Sequence, residues 1–251
     1  MTHDRYVLRY AAGSDTGKRR PINEDSLYAS PRLLAVADGI GGQPHGEVAS
    51  AAAVAVLGEL DIDLRRTDPA SVDLPATMTG AVKTIVDRLA EIAGQEPETT
   101  GMGTTLTALF FDGTQFAAAH IGDSRGYLLR GGVLHKLTRD HTLAQALADD
   151  GKVAPEDVAA HPRSSLLMKA LQTTGSADPD IWTFDASPGD RYLLCSDGLT
   201  GPVPEAAIRD VLACVTDPAE AVPALIGLAN DAGGPDNITC VLADVVSGNQ
   251  G

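Results

Sequence analysis

The sequence predicts a layered fold of helices and antiparallel sheet, and three observations lead there. Strand-like runs in the middle of the chain are separated by short turns bearing Gly and Asp. Such turns mark successive hairpins and rule against a doubly wound parallel sheet. Segments with apolar residues at helical spacing are interleaved with those runs. No stretch of linker composition divides the 251 residues, so one domain over residues 1–251 is expected.

Taken in order, Tyr6 to Tyr10 and Ser26 to Ala29 predict short strands, and the apolar run Leu33 to Ala37 predicts a third, ending on Asp38. Pro44 stands near the start of a helix over Glu47 to Leu60, whose Ala, Val and Leu content marks it as buried. Asp61 to Pro75 is polar and Pro-bearing and reads as a connection. Ala76 to Ala93 carries Val82, Ile85, Val86 and Leu89 at helical spacing. Strands follow at Thr104 to Phe111, Gln115 to Ile121, Gly126 to Arg130 and Val133 to Leu137. Between them Asp112-Gly113-Thr114, Gly122 to Arg125 and Gly131-Gly132 are hairpin signals. From Asp140 the pattern changes. His141 to Asp150 predicts a short helix stopped before Gly151, and Pro155 to Ala160 fits another. The segment Thr142 to Ser165 interrupts the sheet and reads as a mobile flap. Strands resume at Ile181 to Phe184 and Arg191 to Ser196. Helices are predicted over Pro204 to Cys214 and Ala219 to Ala232, then a last strand over Asn237 to Val246 and a frayed tail from Ser247 to Gly251.

Composition narrows the function classes. No apolar run approaches the ~20 residues that cross a bilayer, and the start Met1-Thr2-His3-Asp4-Arg5-Tyr6 lacks a secretory apolar stretch, so a cytoplasmic protein is expected. Cys195, Cys214 and Cys240 are odd in number and lie in apolar runs, which reads as buried free thiols; no CxxC is present. The formal charge of −15 argues against nucleic acid or an anionic membrane as partner. A monomer is expected.

Four acids stand at the edges of apolar runs. Leu33 to Ala37 leads into Asp38-Gly39, and Arg191 to Ser196 into Asp197-Gly198. Ala117 to Gly122 ends on Asp123, and Asp236 precedes the run from Ile238. A lone Asp-Gly after a strand reads as a hairpin turn. Several carboxylates on strand ends can instead converge at one rim of a sheet, as a hard divalent cation requires. Spacing alone leaves both readings open.

A wider motif set decides between them. It comprises Arg20-Pro21-Ile22-Asn23-Glu24-Asp25-Ser26, Ala37-Asp38-Gly39-Ile40-Gly41-Gly42, Gly101-Met102-Gly103-Thr104-Thr105, Ile121-Gly122-Asp123-Ser124-Arg125, Ser196-Asp197-Gly198-Leu199 and Pro235-Asp236-Asn237-Ile238-Thr239. This ordered set resembles the PP2C (PPM) family of metal-dependent protein serine/threonine phosphatases in its compact bacterial form, over about Tyr10 to Val246. The resemblance implies an αββα sandwich, two antiparallel sheets packed face to face with helices on both outer faces. It implies hydrolysis of phosphoserine and phosphothreonine in proteins, substrates of a bacterial serine/threonine kinase, by a metal-activated water at a binuclear Mn²⁺ or Mg²⁺ centre.

By the same resemblance, Asp38 would bridge both ions and the Gly39 carbonyl would bind one of them. Asp197 and Asp236 would hold the other. Glu24 and Asp25 would act mostly through water, and Asp123 with Asp197 would hold a labile third ion. The chemistry is consistent. A pair of divalent ions lowers the pKa of a shared water and neutralises phosphoryl oxygens, and ligands that are all oxygen favour Mg²⁺ or Mn²⁺ over Zn²⁺. Arg20 matches the family's phosphate-binding arginine, whose planar fork grips two oxygens as Lys cannot. Outside the Asn23-Glu24-Asp25 context it would read as an ordinary exposed arginine, as Arg19 does. Gly101 to Thr105 lacks the Lys of a nucleotide-binding loop and reads as a strand passing close to the site.

Ile40 departs from the better-studied eukaryotic members, many of which carry a His general acid there. Ile donates no proton, which leaves metal-bound water, His45, His141 or His161 as candidates. Gln172 stands where relatives often have Gly, a change at the flap's hinge. Two further readings stay open: a two-metal hydrolase of a small phosphomonoester, and a metal-binding interaction module with weak or no catalysis. The signature of the latter would be loss of Asp38, Asp197 or Asp236, and all three are present.

Overall fold

Leu33, Ala35 and Ala37 belong to one buried core and Leu34 and Val36 to another. With side chains alternating across the strand, both of its faces must be covered. The computed structural model of the chain, which describes residues 6–40, 45–65, 67–68, 71–154, 157–158, 161, 163, 166–173 and 177–248, supplies that cover. One sheet is built from β1 (Tyr6–Asp15), β7 (Arg125–Arg130), β8 (Val133–Lys136), β11 (Arg191–Cys195) and β12 (Ile238–Ser247), in the order β1-β12-β11-β7-β8. The other contains β2 (Asp25–Ala29), β3 (Leu33–Asp38), β5 (Leu106–Phe111), β6 (Gln115–Ile121) and β10 (Asp180–Asp185), in the order β10-β6-β5-β3-β2. A two-residue strand β4 (Gly103–Thr104) pairs with β9 (Leu171–Gln172). Every pairing among these strands is antiparallel.

Three apolar layers hold the stack. Between the sheets, Phe116 stacks on Phe111 and meets Tyr192 of the facing sheet, each at 4.6 Å between ring centroids. Helices α1 (Gly46–Leu64) and α2 (Leu74–Gln95) cover the second sheet, with Leu57, Met78, Ile85 and Leu89 in one cluster with Leu33 and Phe110. Helices α5 (Glu205–Cys214) and α6 (Pro218–Asp231) cover the first, with Ile208, Leu212 and Leu225 gathered with Leu193 and Leu242. Each such fully buried side chain contributes about 1.5–3 kcal/mol of transfer free energy. The result is the expected αββα sandwich. Two shorter helices, α3 (Leu143–Asp149) and α4 (Asp197–Thr200), sit near the rim that carries the motif acids.

Several expectations change. Gly122 to Arg125 is not a hairpin, because β6 and β7 lie in different sheets and the loop carries the chain from one to the other. Asp61 is not in a connection. It is buried inside α1, which runs on to Leu64, and the Tyr28 hydroxyl donates to it at 3.0 Å. β1 runs on to Asp15 because β12 pairs with it along its whole length. Cys214 is exposed in the last turn of α5, whereas Cys195 and Cys240 are buried, so the thiol expectation holds for two of three. Ser247 belongs to β12 rather than to a frayed tail. Pro44, the final residues 249–251, most of the expected helix at 155–160 and part of the flap lie outside the described residues. Among the described residues no helix is long and apolar enough to cross a membrane.

Candidate metal centre

The acids converge because the strands end at a common rim. β3 ends on Asp38, the β6–β7 crossing carries Asp123, β11 leads through Ser196 to Asp197, and Asp236 stands just before β12. Together with Arg20, Gly39, Ile40, Thr105 and Leu167 they line one cleft of about 250 Å³. Of the eight residues singled out in the sequence, six border this cleft: Arg20, Asp38, Gly39, Asp123, Asp197 and Asp236.

Glu24 and Asp25 stand behind it. Asp25 is opposite Asp38 in the β2–β3 register and is buried, with the Ser196 hydroxyl donating to its Oδ2 at 2.7 Å. The Glu24 carbonyl accepts from Gly39 N–H at 3.1 Å and from the Ser50 hydroxyl at 2.6 Å, while its carboxylate lies 3.9 Å from the Arg20 guanidinium. Arg20 donates to Asp236 Oδ2 at 2.6 Å. The close approach at Gly39 demands glycine: a Cβ there would come within 2.5 Å of the Gly46 carbonyl and 2.7 Å of the Glu24 oxygen.

Burial and like charge dominate the electrostatics. Burial, followed by repulsion from Asp25, Asp197, Asp123 and Asp236, holds the Asp38 carboxyl well above the usual carboxylate range. Burial and then Asp197 and Asp140 push Asp123 up to about 7, and burial and then Asp236 and Asp25 push Asp197 up to about 6. Asp25 and Glu24 are raised too, mainly by burial. The hydrogen bond to Asp236 raises Arg20, so its positive charge is secure.

These residues fit a hard divalent cation. The donor set is all oxygen, several carboxylates resist ionising beside one another, and Asp25 Oδ1 is buried with no hydrogen-bond partner among the described residues. Among the described residues no three acidic, His or Cys groups are drawn into a closed cage. Asp38 instead lies within hydrogen-bonding reach of both Asp25 and Asp197.

Sequence reasoning missed the residues that hold the acids in place. Thr105 takes the Asp38 N–H on its Oγ1 at 3.0 Å and donates its own N–H to the Asp38 carbonyl at 2.8 Å. Asn237 donates through Nδ2 to the carbonyls of Thr16 and Ile22, both at 2.9 Å, and accepts from Glu24 N–H at 2.8 Å, tying the Arg20–Asp25 segment to the base of β12. Both stand inside the quoted motifs, which was the only available signal. None of the three candidate histidines borders the cleft. His45 faces Glu47 at 3.4 Å, His161 accepts from Arg163 N–H, and His141 faces Asp180.

Comparison with known proteins gives the family and the fold. The family model described as protein phosphatase 2C matches residues 22–230. The chain is 49% identical over 245 residues to the serine/threonine protein phosphatase PstP of Mycobacterium tuberculosis, covering 98% of this chain and 46% of that protein. It therefore spans about half the length of that curated relative. It is 37% identical over 239 residues to the serine/threonine phosphatase stp of Listeria innocua, covering 92% of this chain and 93% of that one. The crystal structure of the M. tuberculosis phosphatase PstP/Ppp superposes with a TM-score of 0.90 at 48% identity, covering 96% of this chain and 99% of the other. The catalytic domain of PstP in complex with 2 manganese ions superposes with a TM-score of 0.86 at 47% identity, with the same coverage of both chains.

Proposed function

Because this chain belongs to the protein phosphatase 2C family, we propose that it hydrolyses phosphoserine and phosphothreonine in proteins at a binuclear Mn²⁺ or Mg²⁺ centre, as a single catalytic domain. The observation that carries the reading is the meeting of Asp38, Asp123, Asp197, Asp236 and Arg20 in one cleft. Asp38 and the Gly39 carbonyl would hold one ion, Asp38, Asp197 and Asp236 the other, and Asp123 with Asp197 a labile third. Glu24 and Asp25 would act mostly through water. Such ions supply a water of lowered pKa and neutralise phosphoryl oxygens.

The chain's own residues bind and position. Arg20, the only guanidinium lining the cleft among the described residues, would offer its fork to two phosphate oxygens, held by Asp236 beside it in the cleft and by Glu24 behind. Ser196 fixes the Asp25 carboxylate, and Thr105 fixes the peptide that carries Asp38. Ile40 presents an apolar wall and no proton. Among the described residues no His lines the cleft, which leaves water, bound to the metal or free, to protonate the leaving serine oxygen in this reading.

The substrates in this reading are products of a serine/threonine kinase, met by a monomer in the cytoplasm. The segment 142–165 is the flap in this reading, contacting the protein part of the substrate. The deciding assay is Mn²⁺-dependent release of phosphate from phosphothreonine, phosphoserine and phosphotyrosine peptides beside p-nitrophenyl phosphate, for the wild type and for Arg163→Ala and Gly151→Ala. Flap changes should depress the peptides more than the small ester. Equal losses on both would remove the flap's specificity role, and turnover of small esters alone would favour a small-molecule phosphomonoesterase.

A further inference from the structure

His141 lies outside the cleft yet touches two segments that frame it. Its main-chain N–H donates to the Gly122 carbonyl at 2.7 Å, and Gly122 N–H donates back to the ring Nδ1 at 3.2 Å. One residue thus grips Gly122 twice, and Asp123 is next along the chain. Gly122 has little freedom to move elsewhere. Its φ is +112°, and a Cβ would come within 2.5 Å of the Thr105 side chain, the same side chain that holds the Asp38 N–H. On its other side, the His141 carbonyl accepts from Met168 N–H at 2.7 Å. Thr142 then forms an isolated β-bridge with Leu167, which borders the cleft.

Counting protons fixes the ring's orientation. A backbone N–H can only donate, so Nδ1 must present a lone pair. The ring proton is then on Nε2, where Asp180 Oδ2 accepts it at 3.2 Å. His120 lies against the same ring at 5.0 Å between centroids. Burial holds the imidazole below its ordinary pKa, which favours the neutral form this arrangement needs. Carboxylate–imidazole pairs commonly orient the groups of a metal site. Here the ring holds the Gly122 N–H, one residue before Asp123.

We propose that His141 is a positioning residue that locks the Asp123 loop to the segment bearing Leu167. The weakly held cation position and the substrate-facing wall of the cleft then keep a fixed relation. The role assigned to the cation rests on the phosphatase reading above; the clamp itself does not.

The test uses the whole chain and three readouts: amide exchange over Gly122–Ser124, calorimetric Mn²⁺ binding to the metal-free protein, and phosphopeptide kinetics. His141→Ala should speed that exchange about fivefold to tenfold, the effect of losing one hydrogen bond. It should weaken the weakest Mn²⁺ site about tenfold, leave the tighter sites in place and raise the phosphopeptide KM more than it lowers kcat. His141→Asn, whose Oδ1 can accept the Gly122 N–H in place of Nδ1, should recover most of both losses. Asp180→Ala, which frees the ring without removing it, should fall between. Unchanged exchange and an unchanged weak site in His141→Ala overturn the proposal, and so does a His141→Asn variant as impaired as His141→Ala. Should His141→Ala fail to fold, wild-type exchange in Asp180→Ala overturns it equally. A wild type that neither binds Mn²⁺ nor hydrolyses phosphopeptides refutes the phosphatase reading instead, and exchange alone then judges the clamp.

Discussion

Replacing Asp123 by Asn should make the metal-free protein more stable. The Asp123 carboxyl is pushed from its ordinary 3.8 up to about 7 by burial, then by Asp197 and Asp140. A carboxyl whose folded pKa lies above its unfolded value keeps extra protons in the native state, so stability falls as pH rises. The window runs from about pH 4 to pH 7: below it both states are protonated, and above it the penalty is complete. Each pKa unit corresponds to about 1.4 kcal/mol. Asp123 reaches the water of the cleft, and screening brings a gap of three units down to about 1–3 kcal/mol. The amide of Asp123→Asn keeps the shape and removes the charge. Urea unfolding in EDTA at pH 5 and pH 8 measures the effect. Asp123 should account for up to about 1–3 kcal/mol of the wild type's loss across that interval, with the other raised carboxyls adding to the total. The variant should lose less and be the more stable of the two at pH 8. Saturating Mn²⁺ should then narrow or reverse the difference, because the ion stabilises whichever protein binds it better. An Asp123→Asn protein that is less stable than wild type at pH 8 in EDTA, or that keeps the wild-type pH slope, would refute the repulsion argument.

Three other outcomes are expected. Phosphopeptide turnover should vanish in EDTA and return with Mn²⁺, and Asp38→Ala should be the most damaging single aspartate change; near-normal turnover in that variant would show that Asp38 bridges nothing. Arg20→Ala should raise the phosphopeptide KM about tenfold to a hundredfold, the scale of a lost charged hydrogen bond, with Mn²⁺ half-saturation unchanged or lower since a cation beside Asp236 is gone. Arg20→Lys should not restore it, because an ammonium lacks the fork, and full recovery in steady-state kinetics would count against bidentate binding. Gly39→Ala should cost about 1–3 kcal/mol in urea unfolding because the added methyl meets backbone rather than a flexible side chain; an unperturbed midpoint with normal activity would mean the Gly39–Gly46 approach is looser than the structure has it.

The strands were readable because a short apolar run bounded by turn residues is written locally, as in Leu33 to Ala37 before Asp38-Gly39. Which sheet a strand joins is not written locally. The Gly-rich signal at Gly122 looks like that at Asp112-Gly113, yet one turns a hairpin and the other crosses between sheets. Asp38, Asp123, Asp197 and Asp236 stood out because each lies at the edge of an apolar run, whereas Arg20, Glu24 and Asp25 were marked only by the motif resemblance. Their supports were not legible. Ser196 reaches Asp25 across 171 positions, Asn237 reaches Glu24 across 213, and Thr105 reaches Asp38 across 67. A hydroxyl or amide whose partner lies that far away leaves no local pattern.

What sets the site apart physically is how this chain treats its other buried acids. Asp140 is gripped by Arg125 and Lys136, at 2.7 Å each. Asp190 is gripped by Arg130 at 2.6 Å, and Asp244 by Arg191 at 2.6 Å. In Asp140 and Asp190, burial alone would raise the carboxyl, but the arginine hydrogen bonds win and hold it low. Breaking such a pair by removing one partner costs about 3–5 kcal/mol, which is why buried acids normally come paired. Asp25, buried, and Asp38, Asp123 and Asp197, half-buried along the cleft, are not paired in this way. Among the described residues none of them has an ion pair within 4 Å, and all four are pushed upward rather than held down. A fold that supplies an arginine to each of three buried aspartates and none to four acids gathered in one corner leaves there a negative charge that a divalent cation would balance. The global charge of −15 could not show this, because it counts paired and unpaired acids alike.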